Sequence, residues 1–188
     1  MKFTYTQFKK IINGEVIGEE YPFSTGSHEL VEEKIKEIIS EIIKTTALDL
    51  IVDLDSYGSG SASYIDIFCF KSDGSSTGKI DGSESGFEDE VHGITLYMCL
   101  YAPVAVCGEG RSFLGIDSIG EVPKLGNWDE DLQKINDILL AHRISLLSKD
   151  YLSTVSDFDK IPTILAQRPY TIFDNLFSLA RLIVNDPI

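Results

Sequence analysis

Gly93-Ile94-Thr95-Leu96-Tyr97-Met98-Cys99-Leu100-Tyr101 puts Ile94, Leu96, Met98 and Leu100 on one side of an extended chain and Thr95, Tyr97, Cys99 and Tyr101 on the other. Alternation with period two is a strand signal, because successive side chains leave a strand on opposite sides. Val104-Ala105-Val106 continues the pattern after Pro103, which cannot donate to a ladder and so marks a bulge, a strand end or an edge. Two further stretches upstream, residues 48–54 and 63–70, are apolar on both sides, which predicts central strands in a sheet covered on at least one face.

Around these strands the pattern changes period. Val31, Ile35, Ile38, Ile39, Ile42 and Ile43 form one stripe at helical spacing, with Ser27 placed to cap the helix and Glu29 suited to its positive end. Glu33, Glu37 and Glu41 share its outer face and repel one another. A second stripe, Trp128, Leu132, Ile135, Leu139, His142 and Leu146, predicts a helix from about 128 to 147 with Asn127 as cap. A short helix is expected near 162–167. Thr171-x-x-Asp174 is a capping box that opens a last helix. At the other end, Phe3, Tyr5, Phe8 and Ile11-Ile12, then Asn13-Gly14, then Val16-Ile17 read as a β-hairpin with a type I′ turn. The sum is an α+β fold. Its sheet is mostly antiparallel with about five strands, helices lie on one face, and a helical layer runs from about 127 to 188 of a single domain.

Length and composition agree with that. The chain has 188 residues, 43% of them apolar and 24% charged, which excludes wholesale disorder. No run of 18 apolar residues predicts a membrane span, and the start Met1-Lys2-Phe3-Thr4 has no secretory character. Cys69, Cys99 and Cys107 are odd in number and sit in apolar strand contexts, so they are expected as reduced thiols in a cytoplasmic protein, bacterial in style.

No catalytic or cofactor motif stands out. The cysteines and His28, His92 and His142 lack the paired spacing of structural zinc. Asp81-x-Ser83-x-Ser85-Gly86 begins like a calcium loop, but His92 occupies the position that needs a bidentate Glu. Gly58-Ser59-Gly60-Ser61 lacks the rest of a phosphate loop. Asp53-Leu54-Asp55 with Asp66 offers oxygen ligands for a hard cation, against which stands the simpler reading of a solvated acidic rim. No metal and no cofactor is therefore expected. Cys107, beside Gly108 at a strand end, is the thiol best placed to react.

Charge carries the functional expectation. The net charge is −14, which disfavours nucleic acid and anionic lipid as partners. Half of the excess, −7, lies in residues 51–100, and residues 72–90 alone hold −5 in a Gly- and Ser-rich stretch that reads as an exposed loop. A local excess steers a basic partner. In character the chain is similar to the immunity proteins that neutralise nuclease-like toxins, an analogy of class. The expected function is an acidic binding protein, antitoxin- or immunity-like, that inhibits a basic protein partner. The expected surface comprises Asp53, Asp55, Asp81, Glu84, Glu88, Asp89 and Glu90 with Glu33, Glu37 and Glu41 of the helix. The alternatives are a small hydrolase, using Cys107 or the carboxylates with a histidine, and an assembly subunit docking through the apolar C-terminal helix of Phe173 and Phe177.

Overall fold

A computed structural model describes residues 2–54, 63–79, 90–110, 114–156 and 170–177. The chain opens with a helix, α1 (Tyr5–Ile12), where the sequence predicts a hairpin. The Thr4 hydroxyl accepts from the Gln7 amide at 3.3 Å while the Gln7 side chain accepts from the Thr4 amide at 2.8 Å, a capping box that starts the helix. At the far end the Gly14 amide bonds Ile11 O and the Glu15 amide bonds Lys10 O, with Gly14 at φ 82°. That is a Schellman stop, and it asks for the same left-handed glycine as a type I′ turn. Asn13-Gly14 therefore closes a helix and does not reverse a strand.

The long helix α2 (His28–Thr45) follows, with the Ser27 hydroxyl accepting from the Leu30 amide. Val31, Ile35, Ile38, Ile39 and Ile42 are buried as the stripe predicts, but Ile43 is not: it lies just beyond the stripe's edge and is half exposed. The strands are β1 (Leu48–Asp53), β2 (Tyr64–Lys71), β3 (Thr77–Gly78), β4 (Glu90–Val91), β5 (Gly93–Cys99), β6 (Val104–Glu109) and β7 (Ser145–Leu146). The helices α3 (Asp129–Ala141), α4 (Lys149–Leu152) and α5 (Ile172–Leu176) complete the described elements.

Five strands form one mixed sheet in the order β1-β2-β5-β6-β7, with the first three pairings antiparallel and β6–β7 parallel. Parallel pairing needs a crossover, and α3 supplies it between β6 and β7. β3 and β4 form a separate two-stranded ribbon between β2 and β5, within the stretch that reads as a loop. Of the stretches expected to be central, β2 is central but β1 is an edge strand, with Ile51 more than half exposed.

Cross-strand partners sort the side chains into two faces. Leu50, Cys69 and Ile94 share one face with Ile67, Leu96 and Cys107, and α2 and α3 pack there around Trp128, Ile135 and Leu139. Tyr64, Tyr97, Cys99, Val104 and Val106 point to the other face, where Phe8 and Ile11 of α1, Leu152 of α4 and Phe173 and Leu176 of α5 cover them. The expectation of helices on one face thus holds for the two long helices, while short ones cover the second face. The expected helical layer from 127 onward is divided: α3 lies on one face, α4 and α5 on the other, and β7 enters the sheet between them. Among the described residues no helix is long and apolar enough to cross a membrane.

Gly108 shows how close the loop after β6 lies. A Cβ there would stand 2.0 Å from Ser118 O, because Gly108 bridges to Ile119 and the Gly120 amide bonds Cys107 O at 3.0 Å. Gly108→Ala is expected to cost about 1–3 kcal/mol, since backbone must move to admit the methyl group, and urea unfolding measures it.

Candidate functional site

The acidic surface is built chiefly on α2. Its apolar stripe is sunk between the sheet and α3, which turns Glu33, Glu37 and Glu41, one helical turn apart, to solvent. They line a shallow groove with Lys36, Ser40 and Lys44. Lys34 bonds Glu37 at 2.9 Å and holds its carboxyl below the ordinary value, and Lys36 pairs with Glu32. Glu41 accepts from His142 Nε2 at 2.8 Å. The acidic face is therefore partly neutralised by its own lysines.

Asp53 closes β1 and stands directly opposite Asp66 of β2, on the face shared with Tyr97. Asp66 is 7% exposed. Burial, with the neighbouring Asp53 carboxylate second, pushes its carboxyl up to about 7. Glu90 lies in β4 and is exposed. Asp55, Asp81, Glu84, Glu88 and Asp89 of the expected surface lie outside the described residues, as do the expected helix near 162–167 and the loop at 58–61.

The thiols and histidines do not assemble a nucleophilic pair. Cys69 and Cys107 share the helix-covered face of the sheet, and burial pushes the Cys107 thiol up to about 11, far from the thiolate a nucleophile needs. Cys69 is raised further by the same cause. His92 Nε2 meets Gly78 O at 3.1 Å, and His28 Nε2 meets Gly14 O at 3.0 Å. Among the described residues no group of three or more metal-ligating side chains comes together.

His142 does not sit on the buried stripe. It is the C-cap of α3, because the chain turns left-handed at Arg143, φ 59°. The Arg143 amide bonds Leu140 O and the Ile144 amide bonds Leu139 O, a second Schellman stop, which ends the helix six residues before the predicted 147 and frees Ser145 and Leu146 for the sheet. Nor does Asn127 cap the helix; Trp128 holds that position with no side-chain cap bond. The Arg143 guanidinium pairs with Glu20 beside a cleft of about 720 Å³ that Gln7, Lys10, Tyr21 and His142 also line. Glycine relieves a left-handed site that alanine strains, so Arg143→Gly is expected to exceed Arg143→Ala in stability by about 1 kcal/mol, both having lost the ion pair. Paired thermal melts of the two variants measure the difference.

Sequence spacing alone missed a buried ion pair. Lys71 Nζ reaches Asp131 and lies 4.9 Å from the centroid of the Trp128 ring. The other Asp131 oxygen accepts from the Ala47 amide at 3.3 Å. A signal was present: Asp131 falls three residues after Trp128 and four before Ile135, on the stripe itself. Compared with known protein families, curated proteins and solved structures, the chain matches none.

Proposed function

We propose that the protein is an acidic binding protein, antitoxin- or immunity-like, that neutralises a basic protein partner. The observation that supports this most directly is the row of Glu33, Glu37 and Glu41, exposed on a helix whose opposite side is locked into the core. A rigid helix presents its charges without a further ordering cost on binding. Steering by such a row acts mainly on association rate and falls with salt. The alternatives draw less from the fold. The raised Cys107 thiol weighs against a cysteine hydrolase, and Phe173 and Phe177 are buried in their own chain, which weighs against docking through them.

The test is affinity purification at low and at high salt, with the triple variant Glu33→Lys, Glu37→Lys, Glu41→Lys in parallel. One basic protein retained in stoichiometric amount by the wild type, released by salt and lost from the variant, supports the reading. Absence of such a partner, or retention equal in the variant, overturns it.

A further inference from the structure

The ladder of β1 shows which of its backbone groups face the open edge of the sheet. The Ser72 amide bonds Ala47 O at 3.3 Å, and these two residues stand opposite each other one step beyond Leu48 and Lys71. In an antiparallel pair, opposed residues that exchange bonds alternate with opposed residues that do not. Asp49, Ile51 and Asp53 therefore bond to β2, whereas Leu48, Leu50 and Val52 turn their amides and carbonyls away from it. The Leu100 amide bonds Ser63 O at 2.8 Å on the other side of β2, which has the same phase. Among the described residues no strand and no backbone group meets the outward row of β1. Edges are commonly blunted by brevity, Lys, Pro or a bulge. β1 has six residues, neither Lys nor Pro, and an unbroken register with β2. Ile51 is more than half exposed and Leu54 nearly half. The opposite edge, β7, is only Ser145–Leu146.

We propose that β1 pairs antiparallel with β1 of a second copy of the chain, with the two-fold axis at Leu50. Outward-facing residues must oppose outward-facing residues, so the register shifts only in steps of two. With the axis at Leu50, Leu48 meets Val52 of the copy, Asp49 meets Ile51 and Asp53 meets Ala47. The outward row then pairs apolar with apolar, and no acid opposes an acid. An axis at Ile51 sets Asp49 against Asp53, and an axis at Asp49 sets that acid against itself, both disfavoured by like charge. An axis at Val52 leaves Leu48, Asp49 and Leu50 beyond the copy's strand, which ends at Asp53. The placement of the two acids thus selects one register for self-pairing. The contact is the same patch on both copies and uses up both open edges, and the two-residue β7 offers little to extend the sheet, so it closes as a dimer. Each copy carries −14, so net repulsion opposes the contact and salt relieves it.

Sedimentation equilibrium of the full chain at low and high salt is the test, and a two-chain mass that tightens with salt is expected. Val52→Pro removes an outward amide and spares the β2 ladder, to which Val52 gives no bond. Symmetry loses that bond twice, so the dissociation constant is expected to rise about tenfold or more. If that variant folds poorly, cysteine pairs read the register instead. Opposed Cα atoms of a bonded pair lie about 5.5 Å apart, within disulfide reach. Mild oxidation is therefore expected to link Leu50→Cys to itself above the wild-type background, and not to link Val52→Cys, which faces Leu48. A monomer at every concentration and salt overturns the proposal, as does a dimer that loosens with salt or that Val52→Pro leaves unchanged. A crosslink through Val52→Cys in place of Leu50→Cys overturns it as well. Capture of a basic partner falls with salt whereas self-pairing rises, so the two ideas fail separately.

Discussion

Asp131→Ala is expected to lower stability by about 3–5 kcal/mol, because it leaves the buried Lys71 ammonium without its paired carboxylate. Lys71 and Asp131 are both close to fully covered, and the Ala47 amide loses its acceptor in the same substitution. Lys71 would keep its contact with the Trp128 ring and the weaker attraction of the exposed Asp73, together worth less than the paired carboxylate. The double variant Lys71→Met, Asp131→Leu is expected to recover most of the loss, since two apolar side chains of similar volume avoid the desolvation of two ions. Urea unfolding of the two variants beside the wild type decides it. A small loss in Asp131→Ala, or no recovery in the double variant, would show that the pair is less buried than its geometry indicates.

The second large effect depends on pH. Burial, with the Asp53 carboxylate second, pushes the Asp66 carboxyl up to about 7 in the folded chain, against an ordinary 3.8. Between those values the folded state holds a proton that the unfolded state has released, so stability falls as pH rises from about 4 to about 7 and levels off above. Three units at about 1.4 kcal/mol each give about 4 kcal/mol, and solvent screening reduces the expected loss to about 2–3 kcal/mol. Asp66→Asn carries no proton to lose. Its stability relative to the wild type is expected to grow by that amount between about pH 4 and pH 8, read from urea midpoints at both. A difference that does not change with pH would refute the assignment.

Periodicity carried much of the fold. Five residues of the α2 stripe, the strands at 48–54, 63–70 and 93–106, and the Thr171–Asp174 capping box were legible because each is a local pattern with a local cause. Two features were hidden by ambiguity. Asn13-Gly14 supplies a left-handed turn that suits a hairpin and a Schellman stop equally, and only the capping box upstream separates them. The end of α3 rests on a left-handed arginine, a residue that gives no warning of a turn, so the stripe ran on through β7. The edge position of β1 follows from pairing order, which apolar content alone does not reveal. At the candidate sites, residue types were legible and partnerships were not. Asp53 and Asp66 stand out as acids in apolar strands, but their opposition is a matter of register, set by chain segments thirteen residues apart.

The β3–β4 ribbon has a consequence for how this chain can change. Thr77 pairs with Val91 and Gly78 with Glu90, and the His92 amide bonds Ser76 O at 2.8 Å, so the chain leaves and re-enters the sheet at one clasp about 5 Å wide. In sequence, residues 80–89 carry four acids and no base. Closing a longer or shorter segment across the same gap changes the folding free energy only logarithmically with its length. The clasp thus separates inheritance of the fold from inheritance of the charge. The sequence that joins Gly78 to Glu90 can lengthen, shorten or exchange its acids from one descendant to the next while the β2–β5 register stays as it is.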